Sequence, residues 1–118
     1  MDDNEDACEL LSLLLESSQF ETKTVGTADQ ALSLIQAEHF DLYLLDSWLP
    51  DLDGFELCRR LRDRHPHTPI LFFSGAAYET DKHRGIAAGA NAYVVKPDIE
   101  GLLGSVREFL FQAESVAA

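Results

Sequence analysis

The stretch LYLLD, residues 42–46, places four apolar residues directly before a carboxylate. A continuous apolar run of this length is typical of a parallel β-strand that is covered on both faces. Two similar runs follow, ILFFS at residues 70–74 and AYVVKP at residues 92–97. Each is also followed directly by a polar residue, Ser74 in the first and Lys96 in the second. The sequence therefore predicts three buried strands with polar groups at their carboxyl ends.

Amphipathic helices are predicted between these strands. Apolar residues recur at helical spacing in five segments, which are Ala7 to Leu14, residues 28–35, residues 55–61, roughly residues 80–88, and residues 99–110. Thr27 and Asp53 each stand three residues before a Gln or Glu, the spacing of a helix-capping box. A short polar strand is expected at Glu21–Val25. This alternation predicts an α/β fold, with a parallel sheet covered by helices on both faces.

Composition narrows the function classes. The 118 residues fit one domain, residues 1–118, with residues 113–118 as a tail. Nine basic against 21 acidic side chains give a net charge of −12, which leaves no basic footprint for nucleic acid or an anionic membrane. Cys8 and Cys58 form no Cys-x-x-Cys pair, which argues against a disulfide scaffold or a zinc site. Without a signal peptide or an apolar run of ~18 residues, we expect a cytoplasmic location and no membrane partner.

Polar residues follow all three apolar runs. Because the carboxyl ends of parallel strands meet at one edge, we expect Asp46, Ser74 and Lys96 to lie together there, with Asp2 and Asp3 beside them. Carboxylate oxygens are the ligands that Mg²⁺ prefers. With a cation bound, one carboxylate can attack a phosphoryl group, while a lysine and a hydroxyl stabilise its equatorial oxygens. The pattern favours phosphoryl-transfer chemistry at this edge.

These residues and spacings resemble the receiver domain of two-component response regulators, of the type found in chemotaxis regulators. The matching pieces are Asp2-Asp3-Asn4, LLD at 44–46, LPDLDG at 49–54, Ser74-Gly75, Gly89-Ala90, and Tyr93 three residues before Lys96-Pro97. The resemblance covers nearly the whole chain. It implies a flavodoxin-like, doubly wound parallel sheet with strand order 2-1-3-4-5.

The resemblance also implies a role for each matching residue. Asp46 matches the phosphoacceptor, which receives its phosphoryl group from a sensor histidine kinase or a phosphotransfer protein. Mg²⁺ would be held by Asp2, Asp3, Asp46 and the backbone carbonyl of Trp48. Ser74 and Tyr93 match the switch residues, and Lys96 matches the phosphate-binding lysine, followed by a cis bond to Pro97. Such a domain catalyses only its own phosphoryl transfer and dephosphorylation, so it is not an enzyme with an external substrate.

The chain departs from the family at its start. Receivers begin with a central apolar strand that ends at the acidic pair, whereas here Met1 directly precedes Asp2. The sheet is therefore expected to lack its first central strand. Unpaired buried backbone groups cost about 1–3 kcal/mol each, so either the edge strand closes against Leu42–Leu45 or another chain supplies a segment. We expect self-association, as a dimer. Leu13 and Leu15 are expected to offer apolar surface to a partner.

Two other functions stay open at this point. A receiver-like module for protein–protein interaction that is never phosphorylated is favoured by the missing strand and opposed by the intact Asp46, Ser74 and Lys96. A Mg²⁺-dependent phosphatase with an aspartyl nucleophile needs a general acid two positions later, where Trp48 stands. A dinucleotide-binding unit is excluded because no Gly-x-Gly-x-x-Gly follows a strand.

Overall fold

A computed structural model describes the backbone of residues 1–117 and the side chains of residues 1–110. Helices and strands alternate from the second helix onward. The elements in chain order are α1 (Glu5–Ser17), α2 (Ala28–Ala37), β1 (Tyr43–Leu45), α3 (Gly54–Arg64), β2 (Ile70–Ser74), α4 (Glu79–Ala87), β3 (Ala92–Val95) and α5 (Ile99–Ala117). The predicted α/β class is confirmed.

The sheet has three parallel strands in the order β1-β2-β3. Tyr43 pairs with Ile70 in one ladder, and Ser74 pairs with Val95 in the other. All five residues of β2 are buried, as expected for a strand with a neighbour on each edge and helices on each face. The three apolar runs in the sequence therefore became the three strands, each within one residue of its predicted bounds.

Helices cover both faces of the sheet and make two separate cores. Side chains alternate along each strand, so Leu45 and Phe72 pack against α2 and α3, whereas Phe73 and Val94 pack against α5. The first core is the larger, and its fully buried members include Ala31, Phe55, Leu57, Cys58, Leu61 and Ile70. The second core rests on Leu102 and Val106 of α5, with Leu11 and Leu15 of α1 packed at its side.

Local sequence explains where the helices begin. The Thr27 hydroxyl accepts a hydrogen bond from the Gln30 amide at α2, and the Asp53 carboxylate accepts one from the Phe55 amide at α3. Each satisfies an amide that lacks a partner within its helix. Gly89 follows α4 with φ of 113°, a left-handed conformation that glycine adopts without strain. The predicted cis bond between Lys96 and Pro97 is present.

The predicted strand at Glu21–Val25 was wrong, since the structure has no strand there. A cavity of about 950 Å³ separates this segment from Leu42–Leu45. A strand needs a hydrogen-bonded neighbour, and the only backbone bond here is from the Asp2 amide to the Val25 carbonyl, at 3.1 Å. Closure of the edge strand against Leu42–Leu45, which was one expected repair, therefore does not occur.

Helix α1 lies over the cavity, and none of its residues is fully buried. Leu10, which we expected on its inner face, is exposed, whereas Leu15 turns inward beside Leu11, which we did expect there. Leu15, which we expected to offer apolar surface to a partner, is partly buried beside the second core and lines the cavity, whereas Leu13 is 64% exposed. The inner face is shifted because the helix packs beside the second core rather than over a complete sheet.

Two further expectations concern the ends and the surface of the chain. Helix α5 continues to Ala117, and the side chains of the predicted tail at 113–118 lie outside the described residues. Within the described part of the chain, no helix is both long enough and apolar enough to cross a bilayer.

Candidate functional site

Three strand ends and the start of the chain meet at one edge of the sheet. Asp46 directly follows β1, Ser74 is the last residue of β2, and Lys96 directly follows β3. Asp2 reaches the same edge because the Asp46 amide donates to the Met1 carbonyl at 2.9 Å. The structure thus brings together the residues that strand-end reasoning predicted.

Three carboxylates form the acidic part of the site. One oxygen from each of Asp2, Asp3 and Asp46 lies within 4.8 Å of the other two. Asp2 and Asp46 are buried, and Asp3 is exposed. The Asn4 amide donates to Asp2 Oδ1 at 3.0 Å, which orients that carboxylate. Like charges this close repel, so the cluster favours a bound cation.

Lys96 supplies the positive charge at the site. Its Nζ donates to Asp2 Oδ2 at 2.8 Å and lies 3.7 Å from Asp46 Oδ2. Burial alone would lower the pKa of this ammonium, but the hydrogen bond to Asp2 and the charge of Asp46 outweigh burial and raise it. The lysine therefore stays charged, and it is bound more closely to Asp2 than to Asp46.

The two buried carboxylates respond differently to this arrangement. Burial would raise the pKa of Asp2, but the hydrogen bonds from Lys96 and the Asn4 amide hold it below its usual value. Burial raises the pKa of Asp46, and the Asp2 charge raises it further, against the opposing effect of Lys96. The anionic form of Asp46 is thus less stabilised by its surroundings than that of Asp2. This difference agrees with the prediction that Asp46, rather than Asp2, is the nucleophile.

The loop after β1 is fixed against the first turn of α3. A Cβ atom at Gly54 would contact the Asp46 carbonyl oxygen and would lie 2.9 Å from Ser47 Cα. Only glycine lets the helix approach this closely, and the Gly54 amide donates to the Ser47 carbonyl at 3.0 Å. The glycine therefore sets the position of the strand end that carries Asp46.

Tyr93 links this loop to the next one. Its hydroxyl lies 2.9 Å from Ser47 Oγ and donates to the Ala76 carbonyl at 2.7 Å, and its ring stacks on Phe72 with centroids 5.3 Å apart. Ser74 is fully buried, and its Oγ accepts from the Ala76 amide at 3.1 Å. Sequence reasoning found Tyr93 and Ser74 but missed Ser47, because a serine after a strand-end acid has no distinctive pattern.

Trp48 and Asp51 lie on the rim. The Trp48 side chain is 65% exposed, and its backbone pairs with Asp53 in an isolated antiparallel bridge. The Asp51 carboxylate accepts hydrogen bonds from the Ala28 and Asp29 amides at 2.9 Å each, which lowers the pKa of its carboxyl. It therefore caps α2 from a distant loop, a long-range contact that sequence spacing does not indicate.

The donor set fits Mg²⁺. This ion takes carboxylate oxygens and keeps several waters in an octahedral shell, so it needs only a few protein ligands and one open side. Asp3 is exposed and can exchange water, while Asp46 and Asp2 are buried beside it. The Trp48 carbonyl belongs to the same loop, and its role as a ligand stays a prediction.

Comparison with known proteins identifies the family. A family model described as the response regulator receiver domain matches residues 1–107. The chain belongs to the response regulator receiver family. This receiver domain is 39% identical over 118 residues to the phosphate regulon transcriptional regulatory protein PhoB of Rhizobium meliloti, covering 97% of the chain and 52% of PhoB. It is 34% identical over 97 residues to the regulatory protein VanR of Enterococcus faecium, covering 82% of the chain and 42% of VanR.

Solved structures agree with this assignment. A CheY-like response regulator receiver domain protein from Methanospirillum hungatei JF-1 matches with a TM-score of 0.90 at 30% identity, over 97% of this chain and 92% of that one. The receiver domain of the Francisella response regulator 1452 matches with a TM-score of 0.89 at 26% identity, over 95% and 93% of the two chains. The receiver domain spans about half the length of the curated relatives it matches.

The resemblance and the receiver fold predicted from the sequence are thus confirmed, as is the place of this domain in two-component response regulators. The roles of Asp2, Asp3, Asp46, Ser74 and Lys96 stay predictions, as do those of Tyr93 and the Trp48 carbonyl.

Proposed function

We propose that this receiver domain accepts a phosphoryl group on Asp46 from a sensor histidine kinase or a phosphotransfer protein, in a reaction that requires Mg²⁺. One observation carries the proposal: the buried Asp46 carboxylate lies at a strand end within 3.7 Å of the Lys96 ammonium. Two more carboxylates adjoin it. Burial and the neighbouring Asp2 charge raise the pKa of Asp46 against the opposing effect of Lys96, so this carboxylate is a poor choice for a purely structural role.

The chain's own residues account for the transfer. An Asp46 oxygen attacks phosphorus, the bond between phosphorus and the donor's nitrogen breaks, and an acyl phosphate forms. Bound Mg²⁺ would supply positive charge against the phosphoryl oxygens. Lys96 and Ser74 hold these oxygens from the neighbouring strand ends, because a planar phosphoryl group in transfer carries its charge there.

Lys96 has to change partner in this scheme. In the structure its ammonium donates to Asp2, and the phosphoryl oxygens would compete for it. Asp2 would then be free to act on the cation through water, with Asp3 as the main side-chain ligand. The bridge between Lys96 and Asp2 thus serves as the internal counter-charge before the cation and the phosphoryl group arrive.

Ser74 and Tyr93 carry the change outward under this proposal. The Ser74 hydroxyl holds the Ala76 amide, and the Tyr93 hydroxyl holds the Ala76 carbonyl, so both act on the loop that precedes α4. If Ser74 turns to a phosphoryl oxygen, the loop loses a hydrogen bond. The surface of α4 and β3 would change for a downstream partner.

Intact mass spectrometry tests the assignment. With acetyl phosphate and Mg²⁺, the wild-type domain should gain one phosphoryl group, and Asp46→Asn should gain none. Asp41→Asn is the matched control, because Asp41 stands before the same strand and is exposed. It should be modified like the wild type. A modified, folded Asp46→Asn protein would disprove the site, and an unmodified, folded wild type would favour the interaction module.

Further features belong to the same proposal. The domain acts on no external substrate and catalyses only phosphorylation and dephosphorylation of itself. Its net charge of −12 gives no nucleic-acid surface to this domain. A homodimer, for which exposed Leu10 and Leu13 offer apolar surface, and a cytoplasmic location stay predictions.

A further inference from the structure

The loop between β1 and α3, residues 47–53, is closed by its own backbone. Trp48 and Asp53 pair as an isolated antiparallel bridge. Beside this bridge, the Gly54 amide donates to the Ser47 carbonyl at 3.0 Å. Because the two ends of the loop are paired, a displacement of its tip is transmitted to its base, where Trp48 lies.

Asp51, at the tip of this loop, is bonded to a different element. Its two carboxylate oxygens accept from the Ala28 and Asp29 amides, one amide for each oxygen, at 2.9 Å each. These are the first two amides of α2, which have no acceptor within the helix, and the positive end of the helix dipole favours an anion there. The bonds stabilise the charged form, which lowers the pKa of the Asp51 carboxyl. The tip of the loop is thus fixed to α2 by two charge-assisted hydrogen bonds.

The same end of α2 also adjoins the acidic site. The Asp2 amide donates to the Val25 carbonyl at 3.1 Å. A Cβ atom on Gly26 would lie 3.7 Å from the Asp2 carbonyl oxygen, so the two backbones are in contact. Residues 25–29 therefore contact both sides of the site, with Asp2 on one side and the tip of the 47–53 loop on the other.

The loop carries a backbone group that the site needs. Asp46, which belongs to the carboxylate cluster, directly precedes the loop, and the Trp48 carbonyl is the predicted backbone ligand. Within the described residues no hydrogen bond engages this carbonyl, since Ser47 and Gly54 close the bridge. Because Mg²⁺ demands near-ideal octahedral geometry, a ligand on a loose loop binds it poorly. The contribution of Trp48 therefore depends on what fixes the loop.

We propose that Asp51 is a positioning residue for the cation, and that its contact with α2 holds the Trp48 carbonyl at the acidic site. The inference rests on the proposed function, since Mg²⁺ is the ion to be positioned. The carboxylate cluster found in the described part of the chain consists of Asp2, Asp3 and Asp46. Asp51 lies outside it with its own oxygens bound to α2, so it acts through the loop and not as a ligand. Without this contact the cation would have to order the loop as it binds, which lowers its affinity.

Thermal melting at increasing Mg²⁺ concentrations gives both the stability and the Mg²⁺ affinity of each variant. Asp51→Ala removes both bonds and should raise the Kd for Mg²⁺ about fivefold, whereas Asp51→Asn keeps one acceptor oxygen and should raise it about twofold. Thr27→Ala is the matched control, because the Thr27 hydroxyl caps the same helix at the Gln30 amide. In EDTA, Asp51→Ala and Thr27→Ala should each lower the Tm by roughly 4 °C. Only Asp51→Ala should change the Kd.

Amide hydrogen exchange tests the same coupling from the side of the helix. Coupling between two contacts is reciprocal, so if the Asp51 contact strengthens Mg²⁺ binding about fivefold, bound Mg²⁺ strengthens that contact by the same factor. Saturating Mg²⁺ should therefore slow exchange at the Ala28 and Asp29 amides by up to about fivefold in the wild type and in Thr27→Ala. In Asp51→Ala it should not. A cap that served α2 alone would protect these amides equally with Mg²⁺ and with EDTA.

Equal Mg²⁺ affinity in the wild type and Asp51→Ala would overturn the inference and leave the proposed function standing. Equal losses of affinity in Asp51→Ala and Thr27→Ala would also overturn it, because loosening of α2 would then account for both. If Asp51→Ala does not fold, Asp51→Asn and the exchange rates of the wild type decide in its place. A wild type that does not bind Mg²⁺ would overturn the proposed function and this inference together.

Discussion

Replacing Lys96 with methionine should destabilise the domain by about 2 kcal/mol at pH 7. The Lys96 side chain is 29% exposed and that of its partner Asp2 is 6% exposed, with 2.8 Å between the charged atoms. Breaking a fully buried pair costs about 3–5 kcal/mol, whereas exposed pairs contribute about 0–1 kcal/mol. This half-buried pair falls between these limits. For a chain of this size, 2 kcal/mol corresponds to a drop in Tm of roughly 8 °C.

The pH dependence of that loss follows from the direction of the pKa shifts. Lys96 holds the pKa of Asp2 below its usual value, so in the wild type the bridge stabilises the fold above about pH 4 and is lost as pH falls through the lower, folded pKa. In Lys96→Met the uncompensated Asp2 has a raised pKa. The variant therefore regains stability as pH falls from 7 towards 4, and the difference in Tm from the wild type narrows.

Melting curves of both proteins at pH 7 and pH 4, with Mg²⁺ and with EDTA, check this reasoning. Mg²⁺ should raise the Tm of the variant more than that of the wild type, because the cation then replaces the lost ammonium. Lys82→Met is the control, since Lys82 is bonded to Glu79 at 3.3 Å on a surface where the two side chains are 36% and 77% exposed. Equal losses in the two variants, or a loss that stays constant down to pH 4, would refute the argument.

Three further predictions concern other parts of the receiver domain. Gly85→Ala should destabilise by about 1–2 kcal/mol in chemical denaturation, because its Cβ would lie 2.8 Å from the Tyr93 ring, whereas Gly104→Ala, with nothing within 4 Å, should stabilise by about 0.5–1 kcal/mol. Tyr93→Phe should lower stability by about 1–2 kcal/mol through the loss of two hydroxyl hydrogen bonds, and a loss below 0.5 kcal/mol would contradict the network. Asp3→Asn should weaken Mg²⁺ binding at least tenfold in a titration of Trp48 fluorescence, while Asp6→Asn in the first turn of α1 should leave it unchanged.

Much of the site could be predicted because strand ends are visible in the sequence. Continuous apolar runs located Asp46, Ser74 and Lys96, and parallel topology then placed them together. The strand at Glu21–Val25 could not be judged in the same way, because a strand is defined by its neighbour and the neighbour is not there. Its residues alone fit an edge strand equally well.

Long-range side-chain contacts were the part that spacing could not predict. Asp51 caps α2 across 22 and 23 positions, and the Arg62 guanidinium donates to the Gly89 carbonyl 27 positions away. Ser47 can be recognised only from the structure, in which the inward-facing Tyr93 hydroxyl lies within hydrogen-bond distance of its side chain. Each of these contacts depends on the packed structure, and no repeating spacing of residues in the sequence indicates it.

The hydrogen bonds of the inward-facing Tyr93 ring determine what fraction of molecules has this ring turned out to solvent. Turning the ring out to solvent breaks its bonds to Ser47 and Ala76, each worth a net 0.5–1.5 kcal/mol or so, which totals about 2 kcal/mol. At 25 °C that energy leaves at most roughly one molecule in thirty with the ring outside, because the stacking of the ring on Phe72 is lost as well. A partner that binds only the outward form would therefore bind the resting domain at least about thirtyfold more weakly than a domain held outward. If Tyr93 acts as the switch proposed above, signalling by this receiver domain would consist of raising the population of an outward form that is already present.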